Sequence, residues 1–387
     1  MGLEDRESLR VVQSALDGPA AGELISRFYA TWFERDPAVR DLFPTDLTHQ
    51  QAAFRHAMGW LFGEFVAQRS AEPVAFLAQL GRDHRKYGVT ESHYTSLCQS
   101  FFLALRAELG KRWTPAVDAA VTEALTLIAG AMSGAAASDQ WPAWWDAMVV
   151  ECARVTPDIA VVRLQLDEPM PYHAGQYVSV HVPQRPRCWR YLSPAMPSDS
   201  AGCIEFHVRA VHRDSVSTAV VDNTAPGDRW RLSSPHGAMH VDPHGGDVLM
   251  VAGSTGLAPL RALILDLMRL EEKPRVHLFF GARHPCELYD LPTLWQIADC
   301  SPWLSVTPVA EFPADPWWAD DYPDPTPPRG LHVREIGRLP EVVSGYGGWG
   351  DRQILICGRP DMVTATRAAL IANGAPPERI QHDPLVG

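Results

Sequence analysis

Apolar residues recur every three or four positions through the first third of the chain, and every second position or in short unbroken runs after it. Tyr94, Leu97, Phe101, Leu105 and Leu109 keep one helical face, as do Val117, Val121, Leu125, Ile128 and Met132, and Phe54, Met58, Leu61 and Phe65 form another stripe. No strand-like alternation interrupts this texture before about residue 138, so an independent all-α domain is expected, one of its helices ending at the break Phe43-Pro44. Farther on, Val178, Val180 and Val182, then Ile204, Phe206 and Val208, alternate as half-buried antiparallel strands do. From Val248 the pattern changes again. Val248 to Ala252 is a continuous apolar run, as in a strand buried on both faces, and Leu260 to Leu270 then carries helical spacing. Ile354-Leu355-Ile356 is a second such strand, ending at Cys357, with a helix from Asp361 to Asn373 closed by Gly374.

The junctions carry the first chemistry. Gly253-Ser254-Thr255-Gly256-Leu257-Ala258-Pro259 lies where a strand hands over to a helix, and Cys357-Gly358-Arg359-Pro360-Asp361-Met362 repeats the arrangement. Glycines at a helix N-terminus leave backbone N–H groups accessible, and the helix dipole favours a phosphate there. One such turn also serves simply to pack a helix on a sheet. Two of them along one edge of a parallel sheet point to a dinucleotide, because open α/β sheets bind ligands at their strand ends.

This half of the chain, back to about Val149, resembles the ferredoxin reductase family, in which a small antiparallel barrel that binds flavin precedes a nicotinamide domain. His173-Ala174-Gly175-Gln176-Tyr177 looks like the entry to that family's second strand, and Arg190-Tyr191-Leu192-Ser193 is similar to its Arg-x-Tyr-Ser/Thr flavin signature. The resemblance implies FAD bound by Arg190, Tyr191, Leu192 and Ser193, with leucine in the aromatic's slot and the Arg190 fork on a phosphate. Asp214-Ser215-Val216-Ser217 matches the family's phosphate turn with an acid in place of glycine, and Ser217 is its donor. Gly253, Thr255 and Gly256 would hold NADH or NADPH, Cys357 and Gly358 would lie beside the nicotinamide, and Asp383 takes the C-terminal acid position near the flavin, with Leu385 in place of an aromatic. Cys357 as a plain strand-end residue and Asp383 as a solvated tail are the alternatives. Arg283, after the strand Val276 to Phe280, is placed to meet a 2′-phosphate but is also ordinary for the family.

The amino-terminal helices resemble globins, and Arg27-Phe28-Tyr29-Ala30-Thr31-Trp32-Phe33 with Asp41-Leu42-Phe43-Pro44 resembles the opening of bacterial flavohaemoglobins. The resemblance implies haem b, with Tyr29 on the distal side and Phe43 packed on the porphyrin. Gly81-Arg82-Asp83-His84-Arg85-Lys86-Tyr87-Gly88-Val89, followed by His93-Tyr94, is similar to the proximal segment, which makes His84 the metal ligand. Independently, His84 lies four residues after Leu80 and seven after Leu77, on the apolar face of its helix, where an imidazole needs a partner. A satisfied core histidine is the other reading, and His49 and His56 are rival ligands in principle, kept as surface or distal-edge residues. Gln50 matches the distal glutamine, with Gln51 one register away. Tyr29 and Gln50 would offer hydrogen bonds to dioxygen that has gained partial negative charge. Tyr94 matches a proximal tyrosine, but Ser133-Gly134-Ala135-Ala136-Ala137 supplies no proximal acid, and Asp139 is the nearest.

The expected architecture is therefore an all-α globin domain over 1–140, an antiparallel β-barrel FAD domain over 149–243 and an α/β NAD(P)H domain over 246–387. The implied function is a relay of hydride from nicotinamide to flavin and of single electrons to haem, oxidising nitric oxide to nitrate with dioxygen. A flavin and haem dehydrogenase fed by another donor, such as a hydroxy acid, and a haem-based oxygen or redox sensor are the alternatives.

Bulk composition narrows the field. A formal net charge of −12, with 34 basic residues and no dense cluster, argues against nucleic acid. Seven cysteines without metal-ligand spacing suit reduced thiols in a cytoplasmic protein. The start Met1-Gly2-Leu3-Glu4-Asp5-Arg6 is not a secretory signal, no run is expected to span a membrane, and a monomer is expected. Trp141-Pro142-Ala143-Trp144-Trp145 reads as an apolar hinge, and residues 312–330 as a long surface loop.

Overall fold

The computed structural model describes residues 3–67, 71–213, 215–319, 327–328 and 331–383. The chain divides into two compact units, Met1–Trp144 and Trp145–Gly387.

The first unit contains helices α1 (Leu3–Asp17), α2 (Ala21–Arg35), α3 (Thr48–Ala67), α4 (Ala71–His84), α5 (Glu91–Leu109) and α6 (Pro115–Ser138). Their ends follow local chemistry. Thr114 caps α6 by accepting from the Val117 N–H at 3.2 Å, with Pro115 at the first helical position. Thr90 and His93 close a reciprocal capping box on α5. The stripes read from the sequence converge on one core built from Phe28, Leu61, Phe62, Phe101, Leu105, Val121 and Ile128. One boundary differs from expectation: α2 stops at Arg35, and a 3₁₀ turn over Pro37–Leu42 carries the chain to Phe43. Pro37 begins that turn because it cannot continue the α-helical hydrogen bonding. Gly81 brings α4 onto α6, where a Cβ at this position would lie 2.2 Å from the Met132 carbonyl oxygen. By length and composition alone, α6 is apolar enough to cross a membrane. Its Val117, Val121, Leu125, Ile128 and Met132 are instead buried in the helical core.

The second unit opens with β1 (Trp145–Thr156), β2 (Ile159–Leu166), β3 (Val178–His181), β4 (Trp189–Leu192), β5 (Cys203–Arg209), helix α7 (Val216–Asn223) and β6 (Arg229–Leu232). All strand pairs are antiparallel, in the order β4-β3-β6-β1-β2-β5. The edges β4 and β5 meet through a bridge between Pro194 and Phe206 and a 2.8 Å bond from the Ala195 N–H to the Glu205 carbonyl, which closes the sheet into a barrel.

There follow β7 (Val248–Gly253), α8 (Leu257–Leu267), β8 (Val276–Ala282), α9 (Leu291–Asp299), β9 (Leu304–Ala310), β10 (Glu335–Ile336), α10 (Leu339–Gly345), β11 (Gln353–Cys357), α11 (Pro360–Ala372) and β12 (Ile380–Gln381). These strands form a parallel sheet in the order β10-β9-β8-β7-β11-β12. Both faces of β7 are buried, Val248 and Met250 in one core and Leu249 and Val251 in another, which explains its unbroken apolar run. Strand order reverses between β7 and β11, the switch point where such sheets take their ligands.

Candidate functional site

In the helical unit, His84 is the last residue of α4, and its Nδ1 lies 2.7 Å from the Leu80 carbonyl. A carbonyl only accepts, so Nδ1 carries the proton and Nε2 is left with its lone pair. Burial lowers the imidazole pKa, which keeps the ring neutral and able to ligate. Among the described residues no group of three histidine, cysteine or acidic side chains converges on a metal position. An iron bound at His84 must therefore bring its remaining equatorial ligands with it, as a porphyrin does. Asp139 is not a partner of this imidazole: its Oδ2 pairs with Arg85 Nη1 at 2.8 Å. Tyr94 is 6% exposed, and its hydroxyl is buried without a hydrogen-bond partner among the described residues, with burial raising the phenol pKa to about 12. A hydroxyl in that state suits a site completed by a bound group.

Tyr29, 2% exposed, lies among Phe28, Phe33, Phe43 and Phe54 at ring separations of 4.8, 5.8, 5.7 and 5.9 Å. Burial raises its pKa to about 12 against a hydrogen bond from Gln50. The side chain of Gln51 faces elsewhere, accepting from Ser26 Oγ at 3.3 Å, and His49 and His56 are exposed. The residues thus fit haem: one neutral imidazole, an aromatic wall including Phe43, and a phenol–amide pair.

In the second unit, the pairing of Val178 with Leu192 and of Ser179 with Tyr191 decides which way β4 faces. Leu192 packs against the barrel core beside Val178. Tyr191 is 43% exposed, with its ring 5.1 Å from Tyr177 and 6.3 Å from His236. Leucine holds the motif's aromatic position, and an aromatic ring stands beside it at Tyr191. Side chains alternate along a strand, so Leu192 goes inward and Tyr191 comes out onto an aromatic surface. Arg190 is exposed and unpaired among the described residues, which leaves its fork available to a phosphate. Ser215 caps α7 by accepting from the Thr218 N–H at 3.1 Å, and its Oγ lies 3.0 Å from that of the buried Ser217. Asp214 and Leu385 lie outside the described residues, as does much of 312–330.

At the switch point, Gly256 opens α8 directly against β11, where a Cβ would stand 2.4 Å from the Cys357 carbonyl oxygen and 2.6 Å from the Gly358 nitrogen. Only glycine fits, and the two loops named from the sequence are thereby one site. Gly358 has φ +157 and faces Gly253 across it. The Cys357 thiol is buried 3.5 Å from Met239 Sδ, and burial, aided by the charge of Asp383, pushes its pKa well up, so it stays a neutral thiol. Asp383 is not a solvated tail: burial raises its pKa to about 6, and its Oδ1 lies 3.4 Å from where a Gly237 Cβ would be. Gly237 in turn packs under Tyr177, whose ring meets Tyr191. Contacts run from Tyr191 through Tyr177 and Gly237 to Asp383, whose charge acts on Cys357, bringing the candidate flavin and nicotinamide residues together. Tyr177 and His236 were not singled out as site residues. The signal for Tyr177 was its place directly after Gly175-Gln176.

Comparison with known proteins agrees with this division. Residues 26–132 match the globin family, and residues 146–241 match the oxidoreductase FAD-binding domain. The whole chain also superimposes on a crystal structure of flavohaemoglobin from Malassezia yamatoensis with bound FAD and haem, with a TM-score of 0.75 over 99% of this chain and 98% of that one. The chain has the flavohaemoglobin fold, a globin joined to an FAD-binding oxidoreductase unit. At 17% identity to the Malassezia protein, that superposition speaks for the fold alone. The reductase half is also similar to the reductase subunit of an aromatic O-demethylase from Amycolatopsis sp. (strain ATCC 39116 / 75iv2), 31% identical over 61% of this chain and 68% of that subunit. It is 28% identical to the phenol hydroxylase P5 protein of Acinetobacter pittii (strain PHEA-2) over 59% of this chain, spanning 61% of that relative. The chain is an oxidoreductase whose domains take haem, FAD and a nicotinamide dinucleotide.

Proposed function

We propose that this protein is a flavohaemoglobin acting as a nitric oxide dioxygenase fed by NADH or NADPH. When bound, the cofactors supply hydride acceptance at the flavin and one-electron reduction at the haem, where nitric oxide and dioxygen combine to nitrate. Each nitrate takes up one electron, so one dinucleotide supports two turnovers. The observation that carries the reading is the Tyr29–Gln50 pair, a buried phenol hydrogen-bonded to an amide inside an aromatic wall. A phenol held protonated well above neutral pH is a fixed donor for dioxygen gaining negative charge, and the wall keeps water away from it. His84, kept neutral by burial and held in its tautomer by the Leu80 carbonyl, supplies the ligand; Gly256 and the Cys357–Gly358 turn take the dinucleotide; Arg190 and Ser217 hold the flavin phosphates, and Tyr191 and Tyr177 its ring.

One relative is by name the reductase subunit of an aromatic O-demethylase, and another is by name a protein of a phenol hydroxylase. Here a globin in the same chain takes the acceptor's place. The test is anaerobic mixing of the FAD- and haem-loaded chain with NADH and, separately, NADPH while flavin and haem absorbance are followed, then nitric oxide loss in air. Flavin bleaching followed by haem reduction and nitrate formation is expected. A flavin that neither dinucleotide reduces but a hydroxy acid does would overturn the proposal.

A further inference from the structure

Strand β5 has two different faces. Ile204, Phe206 and Val208 enter the barrel core, and alternation turns Glu205, His207 and Arg209 the other way. On a free barrel that second face would meet water, yet Glu205 and His207 are 4% and 5% exposed, because the nucleotide lobe packs on it. Arg261 of α8 reaches Glu205 Oε1 at 3.0 Å and the Ala195 carbonyl at 2.7 Å. Tyr289 Oη lies 2.7 Å from His207 Nδ1, and His207 Nε2 lies 3.1 Å from Glu205 Oε1.

Arg209 ends the strip and reaches the nucleotide loop itself. Its Nη1 donates to Ser254 Oγ at 2.9 Å, its Nε to Asp158 Oδ2 at 2.7 Å, and its Nη2 lies 3.4 Å from Glu287 Oε1. Ser254 is one of two non-glycine residues with positive φ among the described residues, at +52. It is the second residue of the loop that opens α8. A left-handed serine is strained, and such strain persists only where the surroundings impose it. Among the described residues, the side-chain hydrogen bond of Ser254 is with Arg209.

We propose that Arg209 is a positioning residue for the dinucleotide: by holding Ser254 Oγ it fixes the left-handed turn of the Gly253–Gly256 loop, and so keeps the N-terminus of α8 presented to the pyrophosphate. The two carboxylates fix the fork, which needs three directions at once, so an arginine serves and a lysine does not. Docking of the flavin barrel on the nucleotide lobe and the shape of the dinucleotide loop are then one set of bonds. The inference rests on the reading that this loop takes the dinucleotide.

The experiment is equilibrium binding of NAD+ and NADP+ to the FAD- and haem-loaded full chain by calorimetry, with FAD content measured alongside. Arg209→Ala and Arg209→Lys are expected to weaken binding tenfold or more with FAD retained. Ser254→Ala, which lacks the hydroxyl but keeps the strain, is expected to do the same. Ser254→Gly, free to adopt the turn without help, is expected to bind near the wild-type level and to restore most of the affinity lost in Arg209→Ala. A general weakening of the fold would not be rescued in this way. If Ser254→Gly binds as poorly as Ser254→Ala, or if Ser254→Ala binds as well as wild type, the proposal is overturned; neither result depends on the Arg209 variants folding. Wild-type protein that binds neither dinucleotide sinks the underlying reading of the loop instead.

Discussion

Replacing Tyr94 with phenylalanine changes sign according to whether the globin unit carries haem. Its hydroxyl is buried without a partner among the described residues, and the residue is 6% exposed within the helical core. An unsatisfied buried hydroxyl costs about 1–3 kcal/mol, while the phenylalanine ring occupies the same volume and leaves a gap of one oxygen atom. Tyr94→Phe is therefore expected to stabilise the haem-free globin unit by about 1–2 kcal/mol, which for a unit of this size raises its melting temperature by roughly 3–8 °C. With haem bound, the reading of Tyr94 as a proximal hydrogen-bond partner adds an opposing loss of about 0.5–1.5 kcal/mol, so the gain shrinks or reverses. Far-UV circular dichroism melts of wild type and variant, each with and without haem, measure the difference. A haem-free variant that melts no higher than wild type would refute the orphaned hydroxyl. An equal rise in both states would make Tyr94 a core residue with no part in the haem site.

Tyr29→Phe removes the buried donor beside Gln50 and should speed dioxygen release from the ferrous protein by about 10- to 100-fold, the equivalent of a charge-assisted hydrogen bond of about 1.5–3 kcal/mol, read by stopped-flow displacement. Gly256→Ala puts a Cβ 2.4 Å from the Cys357 carbonyl, so the two loops must part; loss of dinucleotide binding with FAD and haem retained is expected in the same calorimetry. Burial alone would raise the Glu205 carboxyl, but the His207 hydrogen bond, the Arg261 charge and the Arg163 hydrogen bond outweigh it and hold the pKa at about 2. Because that value is below the unfolded one of about 4.3, the carboxylate stabilises the reductase unit above it, and the contribution fades as pH falls from about 4.3 toward 2. Glu205→Gln should flatten that part of a stability–pH curve. Asp383 has the opposite sign: its raised pKa of about 6 means that stability falls as pH climbs from about 3.9 to 6, a slope that Asp383→Asn should abolish in denaturant titrations.

The sequence made the architecture legible because each part has its own period: helical stripes, two-residue alternation and unbroken buried runs. It left unread the features that depend on what covers a face. Ile204, Phe206 and Val208 identify β5 as a strand with one side in a core, but Glu205, His207 and Arg209 look like a wetted side until another lobe is known to sit there. The Arg190–Ser193 stretch poses the same difficulty on a smaller scale. Alternation says that Tyr191 and Leu192 point oppositely, and only the pairing of Leu192 with Val178 tells which of them is inside. On α3, Gln50 and Gln51 differ by one residue, about 100° around the helix, enough to send one to Tyr29 and the other to Ser26. Asp139 could be read as the nearest proximal acid because distance along the chain ignores Arg85, which takes its charge. In each case the local periodicity was sound and the missing quantity was the neighbour across a gap of many residues. The same gap explains why Arg209 and Ser254, 45 residues apart, meet at a bond that neither stretch of sequence announces.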